Sequence, residues 1–92
     1  MIGLKQHKKF KRDMSKAIFS DSQFNKYIKY LNLLIDNQEL PIEAKNHSLK
    51  GEWKGFYEFH IGGDLLIIYH YLDNQTLELI RIGTHNQLFK NK

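Results

Sequence analysis

Residues 56–72 read F-Y-E-F-H-I-G-G-D-L-L-I-I-Y-H-Y-L. Up to Ile61 the side chains sort with a period of two. Phe56, Glu58 and His60 fall on one face and Tyr57, Phe59 and Ile61 on the other, as in a strand with two different environments. Gly62-Gly63 then supplies a two-residue reversal of the kind that joins antiparallel strands. Leu65 to Leu72 is a dense apolar and aromatic run, which suits a central strand. This hairpin predicts the core of a small sheet, with its first strand over residues 53–61.

Working outward, Asp73-Asn74-Gln75 predicts a second turn and Leu77 to Ile82 a third strand, which Gly83-Thr84 ends. A short C-terminal segment with His85 and Phe89 follows. Toward the N-terminus, Pro41 separates this half from a helical one. Phe10, Met14, Ala17 and Ile18 recur at helical spacing. Ser20-Asp21-Ser22-Gln23 has the pattern of a capping box, with Ser20 as N-cap. Phe24, Tyr27, Ile28, Leu31, Leu34 and Ile35 continue as one apolar stripe to about Asn37. Residues 2–6 suit a short strand. The expectation is an α+β fold: a helical hairpin packed on one face of a small antiparallel sheet. It forms a single domain over 1–92 whose other sheet face is free to hold a site.

The 92 residues suffice for one modest core, and 41% hydrophobic content excludes a disordered chain. No cysteine is present, so disulfides and thiolate metal sites are excluded. Neither a secretory leader nor a run of the roughly 20 apolar residues of a membrane span is visible. These features predict a cytoplasmic protein that does not engage membranes. The net charge of +4 is unevenly placed: residues 1–30 hold eight Lys/Arg against two acids, and residues 31–92 six against eight. Lys8, Lys9, Lys11, Arg12 and Lys16 therefore form a candidate footprint for a polyanion, although lysine-rich helices are more often simply solvated.

Histidine exchanges protons near neutral pH, and His47, His60 and His85, with Asp64, stand at the edges of the strand-like runs. Each has an ordinary alternative. His47 lies in a loop, Asp64 in a turn, and His85 at the end of the sheet. Arg81 shares a predicted strand face with Leu77 and Leu79. The face of His60 makes it the candidate best placed to look into a site. His7 and His70 fit no motif. Histidine spacings of 13 and 25 residues, with no close ligand pair, speak against a metal centre, and no cofactor is predicted.

Three segments, N46-H-S-L-K-G-E-W-K-G, E58-F-H-I-G-G-D-L-L-I-I-Y and R81-I-G-T-H-N-Q-L-F, together resemble the YafQ branch of the RelE/ParE toxin superfamily. The resemblance implies a bacterial type II toxin that cleaves messenger RNA in the ribosomal A site. It also implies neutralisation by a cognate antitoxin, through which operator DNA is reached only indirectly. By matching motif, the functional positions fall on His47, His60, Asp64, His85 and Phe89, with Glu58 and Arg81 alongside. Tyr57 and Gly63 stand where the family often carries arginine and proline.

Cleavage of this kind needs a base for the ribose 2′-hydroxyl, an acid for the departing 5′-oxygen and donors for the phosphate. The expected assignment makes His85 the acid and His47 the base. Asp64 and His60 orient the site or share the base role, Arg81 and Lys54 hold the phosphate, and Phe89 stacks on a base. The basic segment at residues 8–16 would dock on ribosomal RNA. Two alternatives remain at this point: a ParE-like module acting on gyrase without catalysis, and a nucleic-acid-binding domain.

Overall fold

Gly62 and Gly63 have φ of +118° and +58°; Gly62 still pairs with Leu65, so the two-residue turn that closes the central hairpin is Gly63-Asp64, one residue later than the sequence expectation. A computed structural model describes residues 2–89; Met1 and residues 90–92 of the expected domain lie outside the described residues. The elements run β1 (Gly3–Gln6), α1 (Lys8–Lys16), α2 (Asp21–Ile35), β2 (His47–Ser48), β3 (Tyr57–Gly62), β4 (Leu65–Asp73), β5 (Thr76–Thr84) and α3 (His85–Phe89). Short 3₁₀ turns occupy Ile42–Ala44 and Gly51–Trp53.

The capping box holds: Gln23 N donates to Ser20 Oγ at 3.1 Å, and Ser20 N donates to Gln23 Oε1 at 3.0 Å. Tyr27, Tyr30, Leu31 and Leu34 of α2 and Phe10 of α1 bury against Phe59, Ile61, Ile67, Tyr69, Leu77, Leu79 and Ile82 of the sheet. This is the expected helical layer on one sheet face. The opposite face carries a smaller cluster of Leu66, Ile68 and Leu88, with Trp53, Phe56, Ile80 and Phe89 packed around it.

The described sheet has five strands in the order β1-β5-β4-β3-β2. The first helix ends at Lys16, so Ala17 is its C-cap and Ile18, expected on its apolar stripe, lies beyond it and is 90% exposed. Four further details differ from the sequence expectation. First, β1 pairs with β5 in parallel, so the sheet is mixed. No short turn links these distant strands, and only a short turn obliges antiparallel pairing. Second, His47 lies on β2 rather than in a loop. Two residues show no alternation, and their pairing with β3 is set by tertiary contact. Third, β3 begins at Tyr57, because Gly51–Trp53 is coiled into the 3₁₀ turn.

The fourth concerns Arg81. Ile68 pairs with Arg81, whereas the next residue, Tyr69, pairs with Leu79, so Ile80 is an inserted residue in a β-bulge. One extra residue reverses the parity of the strand beyond it. Arg81 therefore shares the face of Ile68, not that of Leu77 and Leu79. Its guanidinium Nε and Nη2 donate to Asp13 Oδ2 and Oδ1 at 2.7 and 3.1 Å, and Ile82 N donates to the same carboxylate at 3.0 Å. Asp13 thereby fastens α1 to β5. The hydrogen bond to Asp13 raises the pKa of Arg81 above its ordinary value, against the opposing effect of burial.

Candidate active site

Glu58 is the hub of the site. Strand alternation turns its side chain away from the helices, where it is 2% exposed. Cross-strand register sets His47 directly opposite it, and His60 follows two residues on along the same face. One carboxylate oxygen, Oε2, faces His47 Nε2 at 2.9 Å and His60 Nε2 at 3.0 Å. The other, Oε1, is buried with no hydrogen-bond partner among the described residues. A carboxylate without water around it strongly favours partners that donate protons or carry positive charge.

The two imidazoles differ. His47 is half exposed, and its Nδ1 lies 3.0 Å from Ser48 O, so both of its nitrogens face atoms that only accept. In His60 only Nε2 is engaged among the described residues. A proton placed there by Glu58 leaves Nδ1 with its lone pair.

His85 completes the site from α3. Thr84 Oγ1 accepts from Gln87 N at 3.2 Å, and Gln87 Oε1 accepts from Thr84 N at 2.9 Å. This second capping box starts the helix with His85 as its first residue. Gly83 lets α3 come close: a Cβ there would stand 2.7 Å from Gln87 Oε1 and 3.2 Å from Leu88 Cδ2. The His85 ring centroid is 5.7 Å from that of His60 and 5.3 Å from that of Phe89. His85 Nδ1 lies 3.6 Å from Asp64 Oδ1, an ion-pair distance rather than a hydrogen bond, with side chains 50% and 62% exposed.

The fold therefore gathers His47, Glu58, His60, Asp64, His85 and Phe89. Among the described residues no hydrogen bond ties Lys54 or Arg81 to these histidines. Lys54 is exposed just beyond the 3₁₀ turn, and Arg81 is turned to Asp13. The basic residues of α1 (Lys8, Lys9, Lys11, Arg12 and Lys16) are all exposed on that helix. Glu58 is more central than its motif position alone suggests. The signal for α3 was the Thr84-x-x-Gln87 pattern, which the segment's shortness obscured.

His47, Glu58 and His60 each offer a ligand atom, and these atoms lie within 4.8 Å of one another. Two imidazoles and a buried carboxylate oxygen suit a divalent copper or zinc ion. The sequence argument against a metal rested on ligand spacing, and here the pairing of β2 with β3 supplies the proximity that spacing lacks.

A toxin of RelE-like architecture with clustered histidines is the class of protein these features define. The family model described as the bacterial toxin of type II toxin–antitoxin system, YafQ, matches residues 2–90. The chain belongs to that family. It is 38% identical over 82 residues to the mRNA interferase toxin YafQ of Escherichia coli K12, covering 87% of each chain. The E. coli DinJ-YafQ toxin–antitoxin complex contains a similar chain, with a TM-score of 0.80 at 32% identity, covering 96% of this chain and 97% of that one. A copper-bound mutant toxin from Helicobacter pylori superposes with a TM-score of 0.83 at 34% identity, over 97% and 100% of the two chains.

Proposed function

We propose that this toxin cleaves messenger RNA on the ribosome by imidazole acid–base chemistry, and that an antitoxin neutralises it. The observation that carries the reading is the sharing of one buried carboxylate oxygen by His47 and His60, of which His47 alone also has its Nδ1 engaged among the described residues, with the His85 ring 5.7 Å from that of His60. The similar E. coli toxin named an mRNA interferase supports the substrate class. The toxin–antitoxin complex supports the partner. Ribosomes place the activity in the cytoplasm.

Glu58 holds His60 with its proton on Nε2, so Nδ1 takes the proton of the ribose 2′-hydroxyl. The resulting alkoxide attacks the adjacent phosphorus. His85, 3.6 Å from Asp64, donates to the departing 5′-oxygen, and a 2′,3′-cyclic phosphate and a 5′-hydroxyl result. His47 stands beside the phosphate as a further donor, with Lys54 as a cation. This moves the base from His47, as first assigned, to His60. Phe89 stacks on an unpaired base. An ion held by His47, Glu58 and His60 would supply Lewis acidity while displacing the Nε2 protons that hold the two rings against Glu58. A gyrase-directed or merely nucleic-acid-binding module has no need for these histidines to converge.

The test is cleavage of a ribosome-bound message by purified protein. His85→Ala and His60→Ala should each lower the rate by about 10²- to 10⁴-fold, the usual contribution of a positioned acid or base. His47→Ala should cost less, and the 5′ fragment should end in a cyclic phosphate. Absence of cleavage by the parent protein overturns the reading; a larger loss in His47→Ala than in His60→Ala returns the base to His47.

A further inference from the structure

A second histidine–carboxylate pair lies on the same sheet face, outside the site just described. His70 on β4 stands opposite Glu78 on β5 in register, and His70 Nε2 meets Glu78 Oε1 at 2.8 Å. Glu78 is buried, whereas His70 is partly open to solvent. The Phe56 ring lies against the His70 ring with centroids 4.6 Å apart and planes 19° from parallel. Trp53, Phe56, His70 and Glu78 line a cleft of about 410 Å³, with Lys9 of α1 and Arg81 at its walls. That volume falls within the roughly 300–1,000 Å³ of small-molecule sites.

The cleft is joined to the catalytic histidines by a continuous series of rings. From His85 to Phe89 the centroids are 5.3 Å apart, from Phe89 to Trp53 5.9 Å, from Trp53 to Phe56 5.4 Å, and from Phe56 to His70 4.6 Å. Trp53 meets Phe89 and Phe56 edge-to-face, at 78° and 89°, whereas Phe56 and His70 are stacked at 19°. Aromatic side chains beside cations are how proteins hold bases of a single strand without pairing them. Lys9 brings the cation to the far end. Arg81 adds Nη1, since Nε and Nη2 are taken by Asp13.

We infer that this cleft is a base-binding subsite for the single-stranded RNA that flanks the cleaved bond, occupied by one unpaired base. The base enters beside the Phe56–His70 stack and Trp53, and Lys9 meets a neighbouring phosphate. Glu78 gives one oxygen to His70; the other carries no hydrogen bond among the described residues. An acceptor-only carboxylate accepts an N–H from the Watson–Crick edge of a base, an exocyclic amino group or the ring N3–H of uracil. The inference rests on the RNA-cleaving reading above and names a substrate contact for it.

The test uses ribosome-bound messages carrying one abasic nucleotide at a time, across the programmed codon and the nucleotides on either side. The parent protein should show one position, away from the cleaved bond, where loss of the base lowers the rate about tenfold, the scale of one base–aromatic contact. N3-methyluracil at that position, which keeps the ring but offers no N–H, should lower the rate less than the abasic nucleotide does. His70→Gln keeps a donor toward Glu78 and removes the stacking ring, and Lys9→Gln alters only an exposed side chain. In His70→Gln the sensitivity at that one position should vanish while every other position keeps its effect. Lys9→Gln should weaken the salt dependence of cleavage and leave the base profile in place. A His70→Gln profile identical to the parent's, or a uniform loss at all positions, overturns the subsite and leaves the cleavage reading standing. A parent protein that cleaves no message at all fails the reading itself.

Discussion

Glu58 shows how much one side chain sets the chemistry. Its position on β3 follows from strand alternation, but its effect depends on being buried with one oxygen shared and the other unpaired. The same geometry predicts competition between protons and metal. Copper(II) should bind with one ion per chain and inhibit cleavage, because it takes the imidazole nitrogens that carry protons. Glu58→Gln should weaken copper binding at least about tenfold in a calorimetric titration, since the remaining amide is a poor ligand. Equal affinity in the variant would remove Glu58 from the ligand set.

At the scale of elements, α3 is a five-residue helix and too short to hold itself together. The Thr84–Gln87 box, the close approach at Gly83 and the burial of Leu88 keep it in place. It carries both His85 and Phe89, so loosening the cap should act on catalysis more than on stability. Thr84→Ala is expected to cost about 1 kcal/mol of stability, typical of a lost cap. The accompanying drop in cleavage rate should exceed what the unfolded fraction explains. A rate equal to the parent's at a temperature where both are folded would show that the cap does not position His85. The β-bulge at Ile80 is the counterpart on the other side. It moves Arg81 onto the site face and lets Asp13 clamp α1 to β5.

At the scale of the whole molecule, one group of exposed cations stands on α1 and the histidines on β2, β3 and α3. Reversing Lys8, Lys11 and Lys16 to Glu should weaken ribosome binding and flatten its salt dependence, as expected for phosphate contacts. Saturating ribosomes should then restore most of the cleavage rate. Ribosome affinity as tight as the parent's would show that this face is only solvated. The core makes a separate prediction. Burial raises the pKa values of Tyr27, Tyr30 and Tyr69. The unfolded chain loses phenolic protons near pH 10 while the folded chain retains them, so their contribution is complete below about pH 10 and falls as pH rises further. Urea midpoints should decline above that pH, and Tyr69→Phe should make the decline shallower.

Local rules made much of this legible in advance. Period-two alternation assigned Glu58 and His60 to the face away from the helices. The Gly-Gly signal paired β3 with β4, with the turn one residue further on at Gly63-Asp64, and the Ser20–Gln23 box started α2. These are properties of a few adjacent residues, set by backbone sterics and hydrogen bonding within one or two turns. The parallel entry of β1, the two-residue β2 beside Glu58, the parity reversal at Ile80 and the pairing of His70 with Glu78 arise between segments distant in sequence. Such pairings are selected by packing of the finished sheet. Spacing along the chain could not bring His47 next to Glu58 and His60, or give the two rings different hydrogen-bond partners. Residue types and their periodicity determined the layers of this toxin. Tertiary register decided that His47 and His60 share one oxygen of Glu58, because only cross-strand pairing brings His47 to that carboxylate.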